Sequence, residues 1–200
     1  MSSGNNPEPK KDPETITQEV QYSQLSARVT DKVSSGVFSS GALLLNGPNE
    51  FILDFLQRMV QPQRVAARVV MSPPALSSFL TALEENLLMY QSKFGVPPQL
   101  PPPPSGATPL PIEELYGQLK IADEMLNGAY SNAVMISHNP SEFVFDFIAT
   151  FYPRSVVSAR VFMSAPQIPP FLSTLKKGLQ QYLEKVNPPQ AQGNNPTPPV

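Results

Sequence analysis

Hydrophobic and polar positions along the chain switch from a strand-like to a helix-like period, and do so twice. Gly36 to Leu45 is small and aliphatic and stops at the turn residues Asn46-Gly47-Pro48-Asn49. Glu50-Phe-Ile-Leu-Asp-Phe-Leu and then Arg64 to Met71 are rich in branched and aromatic residues and predict two further strands. An earlier strand is expected around Leu25 to Val33. Ser72-Pro-Pro supplies an N-cap followed by proline in the first turn. Leu76, Phe79, Leu80, Leu83, Leu87 and Tyr90 then recur at helical spacing and form one apolar stripe. Strand alternation puts Phe51, Leu53 and Phe55 on one face, with Val65, Ala67, Val69 and Met71 on the same side, and the helix stripe is expected to cover them. Ile52, Asp54 and Leu56 share the other face with Arg68 and Val70. That face is too apolar to be left in water, so a partial cover is expected there.

The same pattern returns 92 residues later. Aligning Gly36 on Gly128 and continuing without a gap to Gly95 on Asn187 gives 20 identities in 60 positions. They include Glu50/Glu142, Asp54/Asp146, Arg68/Arg160, Met71/Met163 and Tyr90/Tyr182. This is a tandem duplication. The second helix carries Phe171, Leu172, Leu175, Leu179 and Tyr182, and Pro169-Pro170 moves its expected start from Ser164 toward Ile168. The strand mirrored by Leu119 to Leu126 completes the copy.

Proline sets the boundaries. The chain has 25 prolines in 200 residues, and 16 of them lie outside the apolar segments. Such stretches favour extended backbone and cannot build a core. The expected organisation is a disordered tail (1–18), repeat 1 (19–95), a Pro-rich linker (96–118), repeat 2 (119–187) and a disordered Pro-rich tail (188–200). The fold class implied is α+β. It consists of two similar small domains, each an antiparallel meander of three or four strands packed by one C-terminal amphipathic helix, forming a pseudo-two-fold pair. Pro97 to Pro111 can reach roughly 45 Å as polyproline II, enough for the repeats to pair within one chain. Glu84-Glu85 align with Lys176-Lys177, so such a pair can set acid against base at equivalent positions.

The order of a turn with Pro and Glu, Glu50-Phe51-x-x-Asp54-Phe55, Arg68-Val69-x-Met71-Ser72-Pro73 and a helix ending near Tyr90 resembles a family of short prokaryotic proteins. That family is known as domain of unknown function 3467. The copies are Glu142, Phe143, Asp146, Phe147, Arg160, Val161, Met163 and Ser164, with Ala165 in place of Pro73. The resemblance covers both repeats and implies a fused pair of a domain that is usually single. It implies no activity and carries over no functional residue.

Chemistry is sparse. Net charge is −2, with no cysteine and one histidine, which removes thiol catalysis, disulfides and multi-histidine metal sites within one chain. No stretch is apolar enough for a signal peptide or a membrane span, so a soluble cytoplasmic protein is expected. His138 aligns with Asn46 and reads as a turn residue. Ser72 and Ser164 read as caps, and no glycine-rich phosphate loop is present. Asp54 with Arg68 and Asp146 with Arg160 are the polar pairs to watch. They read as cross-strand ion pairs, with a paired anion-gripping site as the functional alternative. No catalytic residue, cofactor or metal is assigned. The leading functional expectation is a non-catalytic protein-interaction or scaffold module built as an intramolecular pseudo-dimer, with a protein partner of unknown identity. A ligand-binding protein or enzyme with its site between the repeats is the rival. Single-stranded nucleic-acid binding comes third, since the chain lacks a basic groove.

Overall fold

The computed structural model describes residues 27–102, 110–151 and 153–187. Repeat 1 contributes β1 (Ala27–Arg28), α1 (Asp31–Ser34), β2 (Val37–Ser39), β3 (Gly41–Asn46), β4 (Phe51–Gln57), β5 (Arg64–Met71) and α2 (Pro73–Phe94). After the proline-rich stretch come α3 (Ile112–Gln118), a 3-10 turn (Asp123–Met125), β6 (Ala129–Ser131), β7 (Ala133–His138), β8 (Glu142–Ala149), β9 (Ser155–Ser164) and α4 (Ile168–Val186). The helix α3 falls within the stretch read as linker. The disordered tails expected at 1–18 and 188–200 lie outside the described residues.

Each repeat forms the expected antiparallel hairpins, β3–β4–β5 and β7–β8–β9. The meander expectation fails at the next strand. Gly36 to Leu45 is not one strand: it breaks at Ser40, and the two pieces enter different sheets. β2 pairs in parallel with β9 of the other repeat, and β6 pairs in parallel with β5. Both sheets are therefore mixed, and each is completed by an arm from the opposite repeat. The registers correspond: Val37 faces Val161, and Ala129 faces Val69. The buried Ser39 hydroxyl reaches the carbonyls of Gly41 and Leu56, and Ser131 does the same with Ala133 and Ile148. These bonds satisfy the backbone at the crossover. Of the early strand expected at Leu25 to Val33, the described residues form the two-residue β1, and repeat 2 has a single bridge at Lys120; helical turns occupy the residues just downstream, and Leu25 and Ser26 lie outside the described residues.

The helices cross over as well. The expectation that each helix covers the sheet of its own repeat needs correcting, because α2 packs on β7 and α4 packs on β3, with the two helices side by side. Tyr90 meets Phe143 at 5.3 Å between ring centroids, and Tyr182 meets Phe51 at the same separation. Phe79 makes edge contacts with Phe145 and Phe147. One continuous core results, holding Phe51, Leu53, Phe55, Leu76, Phe79 and Leu83 together with Phe143, Phe145, Phe147, Phe171 and Leu175. Neither repeat closes a core of that size alone, which is why a pair of small domains without disulfides gains from fusion.

Two local readings also change. Val65 does not share a face with Val69, because the register shift at Phe55/Leu56 pairs Val65 with Leu56 and turns Val65 to the far face that Leu56 already occupies. The far face is covered there, by Leu115, Tyr116 and Leu119 of the α3 region. Ser72 sits at the N-cap of α2 with extended backbone, yet its hydroxyl makes no capping bond. Pro73 and Pro74 have no N–H to offer, so there is less to cap. The second helix starts at Ile168, as the prolines require, after a 3-10 turn at Ala165–Gln167.

Glu84 and Lys176, 92 residues apart, form an ion pair at 2.5 Å between α2 and α4. Each is the counterpart of the other in the repeat, so the contact joins equivalent positions. Glu84→Lys, which sets lysine against lysine, should lower stability by about 1 kcal/mol, the range for a half-exposed pair. Adding Lys176→Glu should recover most of the loss. Urea denaturation of the two variants checks this, and an unrecovered loss in the double variant would exclude pairing at this position.

Candidate functional site

Asp54 on β4 stands directly opposite Arg68 on β5, and Asp146 on β8 opposite Arg160 on β9. Adjacent antiparallel strands bring such residues within reach on one face. Each guanidinium grips its carboxylate with two bonds of 2.7 and 2.8 Å. The remaining nitrogen, Nη1, donates to a backbone carbonyl of the arm from the other repeat: Arg68 to Leu126 at 3.3 Å, Arg160 to Ser34 at 3.2 Å. Those carbonyls lie just before Gly128 and Gly36, which carry φ of 67° and 62°. Both glycines pass over the arginine stems, where a Cβ would come within 2.9 Å of Arg68 Cγ or 2.8 Å of Arg160 Cγ. The repeated glycine and the repeated arginine are thus one device that seats the exchanged arm.

The two pairs differ in depth. The Asp54 side chain is 0% exposed, against 12% for Asp146. Tyr116 on α3 accounts for part of the difference, since its hydroxyl donates to Asp54 Oδ2. Burial, followed by that bond to Asp54, raises the Tyr116 phenol well above its ordinary value of 10.0. The bond to Asp54 likewise raises Arg68, and the bond to Asp146 raises Arg160. Hydrophobic periodicity does not single out Tyr116. The short run Ile112-Glu-Glu-Leu-Tyr116 after Pro111 carries no link to a carboxylate 62 positions away, and the recurrence of Tyr-x-Gln-Leu at 22–25 and 116–119 is the signal that could have marked it.

Arg68 and Arg160 line a common cleft of about 290 Å³ between the two arms, with Lys32, Ser35, Gly36 and Gly128 on its walls. His138 ends β7, so it is a strand residue that leads into the turn. Its ring stacks on Phe143 and meets Tyr90 edge-on. Burial, then the charge of Lys93, lowers its pKa from 6.5. Pro101 and Pro102 are described, while Pro103 and Pro104 lie outside the described residues. Among the described residues no group of three His, Cys, Asp or Glu could hold a metal ion, and no helix is long and apolar enough to cross a membrane.

The fold and these pairs define a class: a tandem-repeat α+β protein whose halves complete one another's sheets through arginine-clamped arms. The chain belongs to the family described as Protein of unknown function (DUF3467), whose model matches residues 1–114 and again residues 103–188. No curated protein and no solved structure matches it.

Three outcomes are expected. Arg68→Ala leaves a fully buried carboxylate without its cation and should cost about 3–5 kcal/mol, while Arg160→Ala, beside the wetter Asp146, should cost less. Paired urea denaturations test the order, and equal losses would contradict it. Gly36→Ala and Gly128→Ala should each lose about 2 kcal/mol or more through positive φ and overlap with the clamp. Thermal melts of both read this out. For Tyr116 the folded pKa lies above the unfolded one, so its contribution is whole below about pH 10 and fades as pH rises through the folded value. Alkaline melts of the parent chain should therefore fall away more steeply than those of Tyr116→Phe.

Proposed function

We propose that the chain is a non-catalytic protein-interaction module, built as a pseudo-two-fold pair of repeats within one chain. One observation carries the reading: the polar groups repeated in both halves spend their hydrogen bonds on each other and on the exchanged arms. An arginine held in a two-point grip on carboxylate, with its third direction on a backbone carbonyl, is positioned for assembly rather than for turnover. The matching registers at a spacing of 92 residues and the Glu84–Lys176 contact between counterparts support the two-fold arrangement.

An interaction module needs an outward surface. Tyr130 and Phe151 stack at 5.5 Å with 15° between their planes while both remain exposed, 43% and 55% respectively. Exposed stacked aromatics of this kind serve as anchors in protein interfaces. The test is affinity purification from native lysate of a tagged parent chain and of Tyr130→Ser/Phe151→Ser, followed by mass spectrometry. A partner retained by the parent and lost by a variant with unchanged melting temperature supports the reading. Equal retention by both removes this surface from it.

A second reading, a small anionic ligand between the repeats, is favoured by the cleft shared by Arg68, Arg160 and Lys32. Native mass spectrometry of the purified chain separates the two, because a carried small molecule adds a discrete mass that Lys32→Ala removes.

A further inference from the structure

Lys120 and Arg64 stand directly opposite one another in a parallel bridge at the start of β5. The backbone fixes the register: the Val65 N–H donates to the Lys120 carbonyl at 3.0 Å, and the Lys120 N–H to the Gln63 carbonyl at 2.8 Å. Like charges directly opposite on adjacent strands repel and cost stability. The fold does not require the arrangement. The same rung in the other repeat is Arg28 opposite Val156, a cation beside an apolar residue. Among the described residues, neither Arg64 nor Lys120 has a carboxylate in ion-pair contact.

Both cations line one cavity of about 350 Å³, a size within the range of small-molecule sites. Arg64 is set in place there. Its Nε donates to Gln57 Oε1 at 2.8 Å, and Gln57 Nε2 donates in turn to the Phe38 carbonyl at 3.2 Å. Nη1 and Nη2 have no hydrogen-bond partner among the described residues. A guanidinium fork beside an ammonium suits a phosphate or a carboxylate. Val37, Val65 and Met125 supply apolar wall, and Glu124, the acidic residue of the lining, leaves two cations against one carboxylate, a net charge of +1. Gln57 and Arg64 correspond to Ala149 and Val156, so the device belongs to one repeat only.

We propose that this cavity binds the phosphate or carboxylate head of a small organic anion. Nη1 and Nη2 of Arg64 and Nζ of Lys120 hold the head, and the ligand's apolar body lies against Val37, Val65 and Met125. Gln57 is a positioning residue that aims the guanidinium. The site adjoins the cleft between the arms, with Val37, Ala66, Glu124 and Met125 common to both, but it uses neither Lys32 nor the clamped arginines.

Titration of the full chain with phenyl phosphate and, separately, with benzoate tests this, at constant ionic strength with sodium chloride as the blank. The amide resonances of Val65 and Lys120 report binding. A saturable shift is expected, and the probe that binds more tightly identifies the head. Arg64→Gln and Lys120→Gln should each weaken that binding about tenfold, as loss of a hydrogen bond between charged groups requires. Lys32→Gln and Lys177→Gln should leave it unchanged. No saturable shift with either probe would overturn the proposal. So would a loss in Lys32→Gln without one in Arg64→Gln, which assigns the anion to the cleft between the arms. Equal losses in all four variants would overturn it too, as unspecific attraction to surface charge. A further readout needs no probe. Relieved of repulsion, Lys120→Gln should melt no lower than the parent chain at low salt. A lower melt would mark the opposed cations as a structural contact and overturn the proposal.

Discussion

The parallel pairing of a three-residue arm with the last strand of the opposite repeat's hairpins is the interaction on which the rest of this structure depends. β5 and β9 each end an antiparallel hairpin and would otherwise present an open edge beside a half-buried face. A partner strand from the same repeat is ruled out by the crossover at Ser40 and Asn132, which turns the next strand into the other sheet. Once the arms cross, the helices cross with them, and the aromatic residues of the two halves meet in one core rather than two.

The arginine–aspartate pairs act at the point where this exchange is decided. A buried ion pair contributes little net stability, because desolvation offsets most of the attraction, but leaving one member unpaired is costly. That asymmetry makes such a pair a good device for position. An arm that places its carbonyl over Nη1, with glycine crossing the arginine stem, gives each of the three guanidinium nitrogens a partner.

Fusion in one chain frees the copies to diverge where they touch. Glu84 meets Lys176, a contact that two identical chains would replace with like charges in register. Two residues further along the helices, α4 has Gly178 where α2 has Asn86, and a Cβ on Gly178 would collide with Leu44 of the first repeat. Tyr116 deepens one polar pair and not, among the described residues, the other. The halves are complementary more than they are identical.

Much of this architecture is legible from residue order. Duplication at a spacing of 92, the hairpins, both helix stripes and the Asp–Arg registers all rest on local periodicity, which is a property of sequence alone. The core face of Phe51, Leu53 and Phe55 comes from alternation, whereas the position of Val65 does not, because a single bulged residue reverses alternation without changing composition. Which repeat each arm and helix packs against is equally closed to periodicity. A strand of given pattern fits its own hairpin and its copy's hairpin equally well, since duplication makes the two targets nearly the same. Only tertiary geometry separates them: the break at Ser40, the positive φ at Gly36 and Gly128, and the third donor of each arginine leave room for the crossed arrangement alone.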